Sequence, residues 1–167
     1  MNYGQHIARL FAMDSRVWDR HANPWSVWTR VAAFPPLILA IWSRAWLGWW
    51  ALAPVAAMVV FLWLNPRLFP PPRSTRSWAA RAVLGERVWI NRAAVPVPDH
   101  HRRMAVILSI VAAAGLPPLI WGVAVYDIAL TLFGLAVAML GKLWFVDRMV
   151  WLFDDMKERP EYREWLR

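Results

Sequence analysis

The chain has 167 residues, of which 59% are hydrophobic and 14 are Trp, and it carries a formal charge of +8 from 19 Lys+Arg against 11 Asp+Glu. A soluble domain of this length has too little interior for that apolar content, and the charged residues (18%) are excluded from long stretches instead of recurring at helical or strand spacing. The basic residues flank apolar stretches and form no separate domain, which points to anionic lipid headgroups and away from nucleic acid. The absence of Cys excludes disulfides, thiolate catalysis, iron–sulfur clusters and Cys-based zinc sites.

In chain order, residues 1–24 form a cytoplasmic amphipathic segment. Ile7, Leu10, Phe11, Val17 and Trp18 recur at steps of three, four and seven, while Arg9, Asp14, Arg16 and Asp19 rule out the apolar core of a signal peptide. Such a helix lies in the headgroup plane or packs on the rest of the protein. The first apolar span covers 25–42, with Thr29 and Arg30 at its start, and the second covers 45–63, closed by a break at Asn65-Pro66. The loop from 64 to 103 holds a stiff Pro70-Pro71-Pro72 piece. A helix over 74–91 follows, capped by Ser74 or Thr75 and read as interfacial, with Arg73, Arg76, Arg81, Arg87 and Arg92 toward headgroups or the helix covering the bundle ends. Span three covers 104–125 and span four 128–146, and Tyr126-Asp127 allows only a tight hairpin between them. The tail from 147 to 167 reads as a solvated helical extension.

Of the 19 basic residues, 18 fall on one side of this map and only Arg44 on the other. The positive-inside tendency then places both termini and the central loop in the cytoplasm, as in a multi-pass protein of the inner membrane. Trp42, Trp46, Trp49, Trp50, Trp121 and Tyr126 gather at the outer ends, and Trp25, Trp28, Trp63, Trp144 and Trp151 at the inner ends, as two aromatic belts. The fold class is an all-α membrane protein forming a single domain. Four transmembrane helices make two hairpins, 25–63 and 104–146, alongside amphipathic interfacial helices. Phe34-Pro35-Pro36-Leu37-Ile38 is echoed by Leu116-Pro117-Pro118-Leu119-Ile120, which fits a 2+2 parallel repeat or coincidence among abundant Leu, Trp and Pro. Both Pro pairs predict kinks, which either shape packing or open a cavity for an apolar ligand.

The spans contain almost no ionisable residue, so a path for ions or protons is not expected. Any chemistry belongs at the cytoplasmic boundary, where His21 and Asp147 are the candidate acid/base pair. A metal site would draw on His21, His101 (or its neighbour His100), Asp147 and Asp154, although no diagnostic ligand spacing occurs and no cofactor is indicated. Arg20, Arg30, Arg67, Arg87 and Arg148 are candidate headgroup ligands. The plainer account has His21 and Asn23 capping a helix end, and the charges near Asp147 and Asp154 forming local ion pairs.

The phrases HANPWSVWTR (21–30), NPRLFPP (65–71), LGERVW (84–89) and GKLWFVDRMVW (141–151) resemble a family of small uncharacterised prokaryotic multi-pass membrane proteins, a domain of unknown function. The resemblance covers most of the chain. It implies the membrane placement and no activity, cofactor or catalytic residue. Two readings of function follow. The first is a non-enzymatic module that binds a protein partner, a second copy or an apolar ligand through the Trp-rich bundle, and the second is a lipid-modifying enzyme using His21 and Asp147.

Overall fold

The computed structural model describes residues 14–166, and among them every regular element is helical. The structure of residues 1–13, the larger part of the expected amphipathic segment, lies outside the described residues. The remainder of that segment is helix α1 (Ser15–His21), whose N-cap Asp14 accepts a hydrogen bond from the Val17 amide. Three helical segments, Pro24–Leu68, Asp99–Val125 and Ile128–Met156, are long and apolar enough to cross a membrane. These features suggest a helical membrane protein.

The first of these segments is not one rod. It contains α2 (Pro24–Ala32), α3 (Phe34–Trp42), α4 (Arg44–Leu47), a 3-10 turn (Gly48–Ala51) and α5 (Leu52–Leu68). Gly48 has φ +55, a left-handed conformation that a side chain would oppose, and there the chain turns back so that α5 packs on α1, α2 and α3. Hydrogen bonds from Ser26 and to Thr29 reach Asn65, which fixes the return. The regular helix of this limb begins at Leu52 instead of Ala45, because the chain spends 44–51 on the reversal. It also passes through Asn65-Pro66 and ends at Leu68. Proline there forfeits one backbone hydrogen bond, and the tertiary bonds of Asn65 hold the last turn in place.

Helix α6 (Trp78–Ile90) starts later than the sequence suggests, with Ser77 as N-cap. Its Ala79, Ala80, Ala82, Val83, Leu84, Gly85 and Val88 are buried against other helices. Small residues allow this: a Cβ placed on Gly85 would lie 1.8 Å from the Met149 carbonyl oxygen, so the two backbones are in direct contact. Helix α6 is therefore part of the core, and its partner is α9 (Ile128–Met156), the hub that also packs on α7 (Asp99–Ala114) and α8 (Leu116–Val125). Helix α9 runs ten residues past Val146. Its extension is half core, with Met149, Leu152, Phe153 and Met156 buried around Tyr162 of the short α10 (Pro160–Arg163).

Both Pro pairs begin a new helix, α3 after Ala33 and α8 after Gly115, so the interruptions expected at the two pairs are present. Tyr126 sits in the left-handed region at φ 59 and Asp127 caps α9 through the Leu130 amide, which makes the reversal between α8 and α9 as tight as two residues permit.

Candidate functional site

The arginine-rich end of the bundle holds a polar cluster built from α1, α2, α5, α6 and α9. Its centre is a directional hydrogen-bond chain. The Arg30 guanidinium lies 3.3 Å from Nε2 of His21, and a guanidinium can only donate, so Nε2 is the acceptor and the imidazole proton sits on Nδ1. Nδ1 then donates to Ser26 Oγ at 3.0 Å, and Ser26 donates to Asn65 Oδ1 at 2.9 Å. Asn65 Nδ2 donates in turn to Thr29 Oγ1 at 2.8 Å, and Thr29 ends the chain on the Trp25 carbonyl at 2.5 Å. Every donor and acceptor role in this series follows from its neighbour.

His21, Ser26 and Asn65 are all buried. Burial first, and the positive charge of Arg30 second, lower the His21 pKa to about 4, so the ring is neutral near pH 7. Beside it, Lys142 Nζ lies 2.6 Å from Oε1 of half-buried Glu86. Burial by itself would raise the Glu86 carboxyl, but Lys142 and then Arg30 outweigh it and hold the group below the usual carboxylate range.

A second set of contacts joins α6 to α9. Trp78 Nε1 donates to Asp147 Oδ1 at 2.9 Å, and the Trp78 ring stacks on Trp28 of α2 at 5.4 Å. One turn on, Arg81 pairs with Asp154 at 2.8 Å, and Lys157 bonds the other Asp154 oxygen at 3.2 Å. Asp147 and Asp154, seven residues apart on α9, thus face the same helix. An open cleft of about 240 Å³ lies between α1, α6 and the tail, lined by Asp19, Thr75, Arg87, Glu164 and Trp165 among others.

The candidate residues read from sequence are distributed among these features. His21 belongs to the polar chain and Asp147 to the Trp78 contact, and the two share none of these hydrogen-bond partners. Arg20 is exposed. Arg30 is committed to His21, and Arg67 folds back over Trp63 at 4.2 Å. Arg87 sits between Asp19 at 3.3 Å and the Trp165 ring at 4.2 Å, and Arg148 lies over Trp151 at 5.3 Å. Of the four metal candidates, only His101 lies in a group with ligand-forming geometry, and its companions there are His100 and Asp155, not Asp154.

Ser26, Thr29, Asn65, Glu86 and Lys142 were not singled out as site residues by sequence reasoning. A signal was present: Ser26, Thr29 and Arg30 fall at steps of three and four on one helical face, and Asn65 is the polar residue closing the next apolar run. Polar groups on apolar helices need partners, and these satisfy one another.

Residues 3–165 match a family of unknown function (DUF6653), and the chain belongs to it. No curated protein and no solved structure matches the chain.

Proposed function

We propose that this protein is a non-enzymatic module of the cytoplasmic membrane that crosses the bilayer four times, with both termini and α6 on the cytoplasmic side. Its Trp-rich bundle binds a membrane protein partner, and the anionic headgroups meet its basic end. The observation that carries the non-enzymatic reading is that the acid/base candidates are spent on structure. His21 is buried, neutral and hydrogen-bonded at both nitrogens, and Asp147 is held by Trp78. A partner is favoured over an apolar ligand lodged at a kink because the second kink is filled. A Cβ on Gly115 would come within 2.4 Å of the Ala138 amide nitrogen.

Large apolar side chains are exposed along the apolar helices, among them Leu39, Ile110, Ile120, Leu132, Phe133 and Leu140. This supports lipid contact around the bundle. Folding back at Gly48 divides 45 residues into two limbs; α5 alone is 17 residues, about 26 Å at the helical rise, close to the roughly 30 Å of hydrocarbon. Together with the Pro pairs that start α3 and α8 alike, this supports two hairpins of one design in a 2+2 parallel arrangement.

The chain contains no Cys, which makes single-cysteine mapping direct. Trp49→Cys, at the turn, should react with an impermeant maleimide added to intact spheroplasts. Arg73→Cys, in the central loop, should react only after permeabilisation. Labelling of Arg73→Cys in intact cells would remove the topology. Native mass spectrometry of the purified protein should retain a defined subunit or second copy in wild type and in His21→Ala and Asp147→Asn alike. A co-purifying lipid turned over by wild type but not by these variants would replace this reading with a lipid-modifying enzyme.

A further inference from the structure

We propose that His100, His101 and Asp155 form a binding site for one divalent transition-metal ion of the zinc class, fastening the start of α7 to the last turn of α9. Two consecutive residues on a helix point about 100° apart. Even so, the His100 and His101 rings are brought to a centroid separation of 4.1 Å, and both aim Nε2 at the same carboxylate oxygen. His101 Nε2 is 2.8 Å from Asp155 Oδ2 and His100 Nε2 is 3.8 Å from it, and the three ligand atoms all lie within 4.8 Å of one another.

Tetrahedral zinc with nitrogen and oxygen ligands at about 2.0–2.1 Å sets its donors about 3.3 Å apart. The two observed separations to Oδ2 bracket that value, so an ion requires donor movements of about half an ångström along those two edges. The burial pattern suits this adjustment. His101 is buried and fixes the position, while the His100 and Asp155 side chains are 70% and 55% exposed and free to close on an ion arriving from water.

The neighbouring charges also fit. The end of α9 presents the negative pole of its helix, and at the start of α7 Asp99 pairs with Arg102 at 2.8 Å, which takes up that neighbouring positive charge. Asp154, one residue before Asp155, is kept out of the site by Arg81 and Lys157. Imidazole and carboxylate donors suit zinc, nickel or copper better than calcium or magnesium, and three protein ligands leave one tetrahedral position for an oxygen donor such as water.

The test uses tag-free protein in detergent, stripped by a chelator, with Co²⁺ titrated for its visible bands and Zn²⁺ for its heat of binding. Saturation near one ion per chain is expected. His100→Ala and Asp155→Asn should each weaken binding about tenfold or more, since even groups supporting a ligand change affinity by roughly 10–100-fold. Of the four His residues in the chain, the two outside the cluster are the controls, and His6→Ala and His21→Ala should leave the titration unchanged. Because both main variants alter exposed side chains, unchanged Trp fluorescence melting without metal certifies their fold; the buried His101→Ala is not needed. No saturable binding, or binding that survives both main variants, would reduce the cluster to a histidine–aspartate ion pair and overturn the proposal.

Discussion

The two apolar hairpins start from the same kind of Pro-Pro interruption and are fastened by opposite means. In the limb pair α2–α3 and α5, the only glycine is Gly48 at the turn, and the fastening is polar, through Ser26, Thr29 and Asn65. In α7–α8 and α9, the fastening along the apolar lengths is by small residues, and the polar contact of His101 with Asp155 at 2.8 Å lies at the helix ends. A Cβ on Gly115, Gly122, Gly134 or Gly141 would fall 2.2–2.6 Å from backbone atoms of the facing helix. Lipid tails are as apolar as Leu, so burying more Leu gains little between helices in a bilayer. What remains is close backbone approach or interhelical hydrogen bonding. Along their apolar lengths the two halves rely on different devices. The glycine contacts involve no titratable group, whereas the polar fastening borrows His21 and Arg30 and becomes sensitive to pH.

Breaking the glycine half should cost most. In Gly134→Ala the new methyl would sit 2.2 Å from the Leu119 nitrogen and 2.6 Å from its Cα, with backbone that cannot swing aside as a side chain could. We expect a loss of about 3 kcal/mol or more from overpacking, read as aggregation on size-exclusion chromatography or a large drop in the fluorescence melting midpoint. Gly48→Ala is the control: nothing lies within 4 Å of its Cβ, and only its backbone at φ 55 and ψ −130 opposes a side chain, so its loss should be about 1–3 kcal/mol.

The pH dependence of the polar half follows from His21. The unfolded chain takes up a proton near pH 6.5, while the folded chain resists it until about pH 4. Stability is therefore complete above 6.5 and falls as pH drops through that window, by about 3 kcal/mol in all and about 2 kcal/mol by pH 5. Melting of wild type against His21→Gln at pH 7 and pH 5 should show the loss in wild type alone, and equal pH dependence in both would sink the claim. Asn65→Ala should cost less, about 1–2 kcal/mol, because Ser26 and Thr29 each lose one partner without gaining a charge. Restoring only the acceptor with Asn65→Asp should not recover it.

Much of this architecture can be read from residue order, because segregation of charge from apolar runs survives any detail of packing. The Pro-Pro interruptions and the Tyr126-Asp127 reversal are local properties of two to five residues, and they fall where the pattern puts them. The misreadings arise where tertiary contacts override local preference. Pro66 should end a helix, yet Asn65 anchors the turn around it from residues 39 and 36 positions away. The cap falls on Ser77 among several adjacent hydroxyls because α6 is positioned by α9, not by its own start signal. The choice between Asp154 and Asp155 is a matter of 100° of helical phase, visible only once α6 and α7 are seen on different sides of α9.

Arg44 sharpens the comparison at the opposite end, where the two halves meet. In the order of the sequence it is the one basic residue between the first two apolar runs, and the structure gives it a partner set. Nη2 donates to the Val123 and Ala124 carbonyls at 2.7 and 2.9 Å, Nε donates to Tyr126 Oη at 2.9 Å, and the guanidinium lies 4.7 Å from the Tyr126 ring centroid. These carbonyls close α8, so Arg44 reaches from the polar half to cap a helix of the glycine half. Because the side chain is exposed, Arg44→Ala should cost only about 0.5–1 kcal/mol, the smallest effect of the series. Arg44→Lys should recover little of it, since an ammonium cannot serve two carbonyls and a phenol in one plane. Neither variant should change maleimide labelling at Trp49→Cys or Arg73→Cys. If Arg44→Ala instead inverted or scrambled that labelling, the residue would be acting on topology, and the cap would be a secondary consequence.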